Sequence, residues 1–198
     1  SRVRNVAIPA HIDAGKSTLS DRILNVTGNL STEDTKAGQV LDTLRVERER
    51  GITVKAQTAT MQWKGHLLNL IDTPGHVDFS WEVRRSLSAC DGAVLLVDST
   101  HGVEAQTIAN FRLAKEANLR IIPCLTKLDL RTSDPERCLT QIESVLGFKE
   151  EEVVWTSART GEGVDTLLDA IVQRLPPPPL PSTAADKTDT LPLVASVV

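Results

Sequence analysis

The stretch AHIDAGKS, residues Ala10 to Ser17, decides the fold of this chain. An apolar run, Val3 to Pro9, precedes it, and a segment with helical spacing, Lys16 to Thr27, follows it. The first of these patterns predicts a short buried strand and the second an amphipathic helix. The stretch is therefore expected to be a loop that leads from a strand into the first turn of a helix.

This loop matches the phosphate-binding pattern GxxxxGK[ST], except that Ala10 replaces the first glycine. Backbone N–H groups of such a loop point inward, and the helix dipole adds partial positive charge where phosphates bind. An ordinary glycine turn capped by Ser17 is the alternative, and the strand-loop-helix context favours the phosphate loop. Lys16 is expected to reach the β and γ phosphates, and Ser17 offers a hydroxyl to Mg²⁺. The predicted nucleotide-binding residues here are His11, Ile12, Asp13, Ala14, Gly15, Lys16, Ser17 and Thr18.

Outside this loop, short apolar runs alternate with stretches of helical spacing. The predicted strands are Val3 to Pro9, Thr53 to Trp63, Leu67 to Asp72, Ala93 to Asp98, Arg120 to Thr126 and Val153 to Thr156. The predicted helices are Lys16 to Thr27, Asp78 to Ala89, Glu104 to Ala117, Pro135 to Leu146 and Val164 to Leu175. Strands two and three are joined by the hairpin signal Lys64-Gly65 without a helix. The pattern predicts an α/β domain whose six-stranded, mostly parallel sheet carries helices on both faces.

Composition limits the domain organisation and the partners. The chain has 198 residues, of which 40% are hydrophobic, enough for one core followed by a tail. Its net charge of -4 does not favour nucleic-acid binding by this chain as a whole. Three cysteines without metal-ligand spacing are expected to be free thiols. No apolar run approaches the ~20 residues of a membrane span.

The domain is expected to occupy residues 1–175. Five of the six residues from Pro176 to Pro181 are prolines, which cannot continue a helix and favour an extended spacer. We therefore predict a proline-rich and polar linker at 176–190. The segment 191–198 is apolar and β-prone, and we expect it to be the start of a second, β-barrel domain.

A second candidate phosphate contact is Asp72-Thr73-Pro74-Gly75, at the carboxyl end of a predicted strand. Asp72 is expected to hold Mg²⁺ through a water, and the Gly75 N–H can approach a γ-phosphate because no Cβ blocks it. Upstream, Thr53 offers Mg²⁺ a second hydroxyl, which would explain the long segment 28–51. An ordinary Pro-Gly turn and a strand-start threonine are the alternatives.

His76 follows Gly75 directly, and its imidazole is a candidate for orienting an attacking water. The alternative is a solvated turn histidine. Because phosphoryl transfer needs alignment and charge stabilisation more than a strong base, positioning is the expected role. We therefore predict His76, Lys16 and Thr53 as the catalytic residues.

The base-reading candidates follow the last two strands. Asp129 can accept hydrogen bonds from the N1–H and amine of guanine, whereas adenine has no proton at N1. Lys127 can lay its stem along the base, and Thr126 brings a hydroxyl. Further on, Ser157, Ala158 and Arg159 follow the sixth strand. Each of these signals alone is weak, and an ordinary loop carboxylate at Asp129 is the alternative, but in this order they favour guanine.

The motifs AHIDAGKS, ERERGIT, DTPGHVDF, VDSTHGVEAQT, TKLDL and TSAR together resemble translational GTPases over residues 4–175. Within that group, the chain looks most like the LepA (elongation factor 4) family in LSDRIL, HVDFSWEVRRSLSACDGAVLLVD and the PPPP segment. The resemblance implies a P-loop G domain that binds GTP or GDP with Mg²⁺. It places Thr126 at the asparagine of the NKxD motif and Ala158 where a backbone N–H bonds guanine O6.

The resemblance also implies a factor whose GTP hydrolysis is stimulated by the large ribosomal subunit and its rRNA, with His76 engaged there. No arginine finger is evident in the sequence, so slow hydrolysis is expected from this chain alone. The family implies the bacterial cytoplasm, a mitochondrion or a plastid, with the mitochondrial matrix favoured. A monomeric fragment and a membrane-peripheral position of the full-length protein are further expectations.

Three alternatives stay open on the sequence. Ala14 resembles elongation factor G rather than LepA, which favours an elongation factor G-like GTPase. Thr126 and the limited length are compatible with a guanine-nucleotide-binding module that hydrolyses little GTP. An ATPase would use the same phosphate loop but would leave TKLD and TSAR unexplained.

Overall fold

The computed structural model describes residues 2–11, 13–28, 57–73 and 80–178. Within these ranges the strands are β1 (Val3–Ile8), β2 (Gln57–Trp63), β3 (His66–Asp72), β4 (Gly92–Asp98), β5 (Arg120–Thr126) and β6 (Val154–Trp155). The helices are α1 (Lys16–Val26), α2 (Ser80–Ser88), α3 (Ala105–Glu116), α4 (Pro135–Gln141) and α5 (Val164–Arg174). A short 3₁₀ turn, Glu150–Glu152, precedes β6. Every predicted strand and helix is thus represented among the described residues. The predicted starts at Thr53 and Asp78 lie outside those residues, and the other ends shift by a few residues.

The six strands form one sheet in the order β2-β3-β1-β4-β5-β6. The pairs β1–β3, β1–β4, β4–β5 and β5–β6 are parallel, and β2–β3 is antiparallel. The predicted hairpin turn is confirmed at Lys64-Gly65, where both residues have positive φ. The fold class is therefore confirmed, with β2 antiparallel at one edge.

Residues of β4 alternate between two faces of the sheet, and all seven are buried. Val94 and Leu96 lie in a core cluster with residues of α1 and α5. Leu95 and Val97 lie in a cluster on the opposite face that includes residues of α4, and Ala93 packs with residues of α2 and α3. Helices cover both faces of the sheet, as the continuous apolar runs predict.

The predicted helix 135–146 changes form near its middle. Asp134 caps α4 by accepting a hydrogen bond from the Arg137 N–H at 3.2 Å, with Pro135 in the first turn. From Ile142 to Leu146 the chain is a π-helix. Both of these residues are buried in the same apolar cluster. The regular α-helical period expected here is therefore wrong over the last five residues.

The tip of the β2–β3 hairpin is fastened to α5. The Trp63 indole N–H donates to Asp169 Oδ1 at 2.8 Å, and the Lys64 ammonium lies 2.7 Å from Asp169 Oδ2. Hydrogen bonds from Lys64 and Trp63 lower the pKa of the Asp169 carboxyl. The edge hairpin, which joins segments 29–56 and 74–79 in the chain, is thereby held against the body of the domain.

All three cysteines are free and buried, which agrees with the prediction of free thiols. Among the described residues, no helix has the length and apolar character needed to cross a bilayer. The predicted linker boundary lies where α5 ends at Arg174 and Leu175 is buried. Most of that linker and the segment 191–198 lie outside the described residues, so both stay predictions.

Candidate functional site

The predicted site residues follow the carboxyl ends of the parallel strands, where open α/β sheets bind their ligands. Ile8 at the end of β1 pairs with Asp72 at the end of β3, and Asp98 at the end of β4 pairs with Thr126 at the end of β5. Ala10, in the loop after β1, bridges to Leu96 of β4. The fold therefore brings segments that are far apart in sequence to one edge of the sheet.

The described part of the loop after β1 contains two residues with left-handed backbone conformation. Asp13 and Gly15 have φ values of 64° and 85°, both in the left-handed region. Gly15 stands at the N-cap of α1, where its lack of a Cβ permits this conformation. The Ala14 N–H donates to the His11 carbonyl at 3.1 Å, which closes the turn. Such alternation of backbone conformations forms a concave site suited to anions.

Lys16 is the first residue of α1 and is buried, with 8% of its surface exposed. Its ammonium donates to the carbonyl of Thr73, which lies just beyond β3. The Thr73 hydroxyl in turn donates to the Ile8 carbonyl at 3.0 Å. Ser17 is half-buried in the same helical turn and Thr18 is exposed. The predicted phosphate lysine therefore links the first loop to the start of the DTPG segment.

Thr126 joins the base-reading segment to the phosphate loop. Its side chain is buried, and its hydroxyl donates to the Ala14 carbonyl at 2.8 Å. The Val97 carbonyl lies 3.4 Å from the same hydroxyl. Where the resemblance leads one to expect an asparagine amide, a hydroxyl thus makes a buried bond to the loop backbone. Such a bond removes the cost of leaving the Ala14 carbonyl unpaired.

Lys127 lies over the phosphate loop. A Cβ placed on Gly15 would be 3.8 Å from Lys127 Cε, so the lysine stem lies beside this glycine. Its ammonium is 2.8 Å from Asp98 Oδ2, and the Asp98 side chain is only 3% exposed. Thr100 donates to Asp98 Oδ1 from its backbone N–H at 2.8 Å and its hydroxyl at 2.6 Å. Asp98 thus fixes the direction of the lysine.

Two opposed effects act on the pKa of Asp98. Burial raises the pKa of the carboxyl, but hydrogen bonds from Lys127 and Thr100 together with the lysine charge outweigh it and lower the pKa to about 2. The carboxylate is therefore ionised at neutral pH and forms an ion pair with Lys127. Asp98 lies in the quoted stretch VDSTHGVEAQT, but the sequence assigns it no role in the site, since it is one of many strand-end residues.

Asp129 is held by the loop that follows β6. The Ser157 hydroxyl donates to Asp129 Oδ1 at 2.7 Å, and Arg159 Nη1 lies 3.9 Å from Asp129 Oδ2. The Asp129 side chain is 15% exposed, whereas that of Arg159 is 81% exposed. One carboxylate oxygen thus has a strong donor from the protein, while the arginine pair is long and open to solvent.

A cavity of about 180 Å³ lies between these segments. Its lining residues come from the phosphate loop and α1, from the loop after β5 and from the loop after β6, and they are Gly15, Thr18, Thr126, Lys127, Asp129, Leu130, Ala158 and Arg159. Pockets that enclose a whole drug-sized ligand measure roughly 300–1,000 Å³. This cavity is therefore of a size for one part of a nucleotide, such as its base.

His11 makes a contact that the sequence does not predict. Its Nε2 lies 3.0 Å from Glu104 Oε2, and each side chain is about one third exposed. Glu104 also stands at the N-cap of α3, where its carboxylate and the Thr107 hydroxyl form a capping box. The phosphate loop is therefore tied to the beginning of α3 as well as to β5.

Arg22, in the quoted stretch LSDRIL, is a second residue without a predicted role in nucleotide binding. From the middle of α1, its Nε donates to the Ala158 carbonyl at 2.7 Å and its Nη2 to the Arg159 carbonyl at 2.6 Å. The helix that begins at the phosphate loop is thereby fastened to the loop after β6.

Several predicted residues lie outside the described part of the chain. These are Ile12, Thr53, Gly75 and His76, together with the side chain of Asp72. The structure brings together the other predicted residues of the phosphate loop and of the two base-reading segments. The roles predicted for Thr53 and His76 rest on the sequence.

Known proteins are similar to this chain over most of its length. A model of the elongation factor Tu GTP binding domain family matches residues 1–177. The human mitochondrial translation factor GUF1 is 56% identical over 181 residues, covering 89% of this chain and 27% of the human protein. Elongation factor 4 from Synechocystis sp. is 54% identical over 183 residues, covering 90% of this chain and 30% of that factor. The chain thus spans less than a third of these relatives.

Two solved structures are also similar. The bacterial selenocysteine-specific elongation factor EF-Sec has a TM-score of 0.69 at 28% identity, covering 86% of this chain and 28% of that one. A crystal structure of a protein from Thermus thermophilus has a TM-score of 0.67 at 30% identity, covering 73% of this chain and 22% of that one. Both likenesses extend over most of the domain described above.

Proposed function

Because the chain belongs to the elongation factor Tu GTP-binding domain family, we propose that it binds GTP and GDP at this site and hydrolyses the γ-phosphate of GTP. The observation that carries the proposal is the bond from the Thr126 hydroxyl to the Ala14 carbonyl, 2.8 Å long and buried. It holds the loop suited to phosphates and the segment suited to a base in one fixed arrangement. A nucleotide is the class of ligand that needs both.

Guanine is the base that Asp129 can select. Its carboxylate is oriented by the Ser157 hydroxyl at 2.7 Å and borders the cavity. A carboxylate accepts from the N1–H and amine of guanine but finds no proton at N1 of adenine. A buried acceptor left unpaired in this way disfavours the wrong base strongly. The Ala158 N–H is the proposed donor to guanine O6, and Lys127 the proposed cover of the base.

For hydrolysis, we assign charge stabilisation to Lys16 and to the backbone N–H groups of the loop. The Lys16 ammonium, which donates to the Thr73 carbonyl, must turn to the β and γ phosphates when GTP binds. His76 would orient the attacking water, and Thr53 would offer a hydroxyl to Mg²⁺. Because an arginine finger supplies on the order of 10³ to 10⁵ in rate to related enzymes, we expect slow hydrolysis without an activator.

Magnesium fits the residues at this edge of the sheet. Ser17 lies in the first turn of α1, and the backbone of Asp72 pairs with Ile8 at the entry to the loop. Within the described ranges, no three His, Cys, Asp or Glu side chains converge as a metal cluster. Mg²⁺ typically keeps several waters and takes further ligands from a hydroxyl, a carboxylate and the phosphates of a nucleotide. Ser17, Thr53 and, through water, Asp72 would hold it, and the bound ion neutralises charge on the phosphates.

For the whole protein, we propose a ribosome-associated translation factor of the elongation factor 4 and GUF1 type. The relatives that support this include mitochondrial, bacterial and chromatophore proteins. We propose the large subunit and its rRNA as the activating partner and the mitochondrial matrix as the compartment. A membrane-peripheral position of the whole protein and a monomeric state of this chain are further proposals, which flotation assays and gel filtration would test.

The deciding experiment is a titration of this chain with fluorescent GDP and GTP in the presence of Mg²⁺, competed by unlabelled GDP, GTP and ATP. We expect displacement by the guanine nucleotides and not by ATP. The Asp129→Asn variant should bind GDP about 100-fold more weakly, because the amide has one acceptor oxygen where the carboxylate has two, and it carries no charge. Asp165→Asn, an exposed carboxylate at the start of α5, is the matched control and should bind as the unaltered chain does.

Equal displacement by ATP would contradict guanine selection and would reopen the alternative of an ATPase. Release of phosphate from radiolabelled GTP should be slow in the isolated chain and faster when the full-length protein meets ribosomes. If ribosomes fail to accelerate hydrolysis by the full-length protein, the proposed activation is wrong, while the binding site stands on the titration.

A further inference from the structure

We propose that Arg22 is a positioning residue for base recognition. It holds the turn at Ala158 and Arg159 so that the Ala158 N–H lies within hydrogen-bond distance of guanine O6. The inference rests on the proposed binding of guanine nucleotides and goes beyond it, since Arg22 belongs to none of the nucleotide motifs. Its guanidinium would act through the loop backbone and would not itself touch the nucleotide.

The two bonds from Arg22 have a geometry that a guanidinium alone provides. Nε and Nη2 lie on one edge of the planar group, and they donate to two consecutive carbonyls, those of Ala158 and Arg159, at 2.7 and 2.6 Å. A rigid fork that makes two bonds fixes the orientation of its partner as well as its distance. A Cβ on Gly161 would lie 4.0 Å from Arg22 Cδ and Nε, so the arginine also packs along this loop.

Bonds within the loop do not provide this attachment. The Ser157 N–H donates to the Glu162 carbonyl at 2.9 Å, and the Gly161 N–H donates to the Ser157 carbonyl at 2.8 Å. These bonds close the loop on itself, and the Ser157 hydroxyl ties it to Asp129. The Arg22 bonds attach the next two residues to α1, the helix that starts at the phosphate loop.

A nucleotide bound here would have its phosphates at the N-terminus of α1 and its base at Ala158. Arg22 connects the two ends through a single helix, so it sets the separation between the phosphate-binding and O6-binding N–H groups. Hydrogen bonds weaken steeply when their geometry departs from linear, so a small displacement of the loop is enough to lose the contact to O6. Contacts made by Asp129 to N1–H and the amine depend less on this attachment.

The chain supplies a matched control. Arg174 on α5 also donates to backbone carbonyls of a neighbouring loop, with Nη1 2.6 Å from the Glu152 carbonyl and Nη2 3.5 Å from that of Glu151. Its loop takes no part in the cavity. Arg174→Lys therefore removes a comparable attachment between an arginine and two backbone carbonyls, at a place outside the cavity.

The experiment compares Arg22→Lys with Arg174→Lys in titrations with GDP, 6-thio-GDP and IDP. The thio analogue keeps N1–H and the amine but replaces O6 by a weak acceptor, whereas IDP keeps O6 and lacks the amine. We expect Arg22→Lys to bind GDP about tenfold more weakly, which is the effect of one lost hydrogen bond. The same variant should bind 6-thio-GDP less than about threefold more weakly. The ratio of GDP to IDP affinity should stay unchanged in Arg22→Lys. Arg174→Lys should change neither this ratio nor the ratio of GDP to 6-thio-GDP affinity.

An unchanged preference for GDP over 6-thio-GDP in Arg22→Lys would overturn the inference, as would an equal change in Arg174→Lys. Arg22→Gln is measured in parallel. It keeps one amide donor group, so its GDP affinity should lie between those of the unaltered chain and Arg22→Lys. If both Arg22 variants fail to fold by circular dichroism, the residue has a structural role and the inference is wrong. If the unaltered chain binds no guanine nucleotide, the proposed function itself fails, which is a separate result.

Discussion

The Asp98 carboxylate holds the Lys127 ammonium at 2.8 Å, with only 3% of the aspartate side chain exposed. This pair connects the end of β4 with the residue that covers the phosphate loop at Gly15. A buried carboxylate that keeps a low pKa in this way links the nucleotide site to the stability of the fold.

Acid should therefore weaken this domain in a defined range of pH. The folded-state pKa of Asp98, about 2, lies below the ordinary value of 3.8, so the stabilisation is fully present above pH 3.8 and is lost as pH falls towards 2. A shift of this size corresponds to about 2 kcal/mol. We expect urea unfolding between pH 6 and 2 to show this loss and Asp98→Asn to show less of it. Glu151→Gln, at an exposed pair with 4.0 Å between charges, should leave the profile unchanged.

Thr126→Val should weaken both folding and nucleotide binding. The valine has nearly the same shape but no hydroxyl, so the buried Ala14 carbonyl loses its donor. We expect a loss of roughly 1–3 kcal/mol in unfolding free energy and about tenfold in GDP affinity. Thr126→Ser keeps the hydroxyl and should restore most of the GDP affinity. Equal GDP affinity in the valine and serine variants would show that the bond has no part in shaping the site.

The fastening of the hairpin tip can be measured with a double-mutant cycle. Trp63→Phe removes the donor and Asp169→Ala removes the acceptor of the 2.8 Å bond between indole and carboxylate. We expect a coupling energy of about 0.5–1.5 kcal/mol from unfolding in urea. GDP affinity should not change in either single variant. Additive effects on stability would mean that the two side chains do not interact in solution.

The cysteines should be protected in the folded protein. Burial raises the pKa of the Cys90 and Cys124 thiols to about 12 and also raises that of Cys138. Because the thiolate is the reactive form, we expect slow reaction with a disulfide reagent at pH 8 and rapid reaction of all three thiols in denaturant. Rapid labelling of a thiol in the native protein would locate a loosely packed region.

Local patterns in the sequence were enough to predict the sheet and its edge hairpin. AHIDAGKS between a strand and a helix predicts where α1 begins, and Lys64-Gly65 predicts the antiparallel turn, because each depends on residues close together in the chain. The family suggested by the motifs is confirmed by the match over residues 1–177. The π-helical turn at 142–146 was not predicted, since the spacing of Ile142 and Leu146 also suits an α-helix.

Contacts between distant segments could not be predicted in this way. Arg22 and Ala158 are 136 positions apart, and Thr126 and Ala14 are 112 apart. An arginine on a helix surface and a threonine at a strand end are common, and nothing in their local sequence indicates the acceptor. The acceptors are backbone carbonyls, which every residue carries, so composition gives no sign of the pairing.

The use of carbonyl acceptors has a consequence for how this pocket can change. Arg22 contacts only backbone carbonyls of the loop after β6, and the Arg159 side chain in that loop is 81% exposed. Replacing the side chain at 159 leaves the carbonyl, and hence the attachment, in place. Laboratory evolution could therefore vary the side chain at 159, at the edge of the cavity, to admit enlarged guanine analogues. Arg22 and Thr126 would still hold the backbone of the site in place. A variant of this domain that binds a synthetic nucleotide could therefore be made by changing side chains at the edge of the cavity alone.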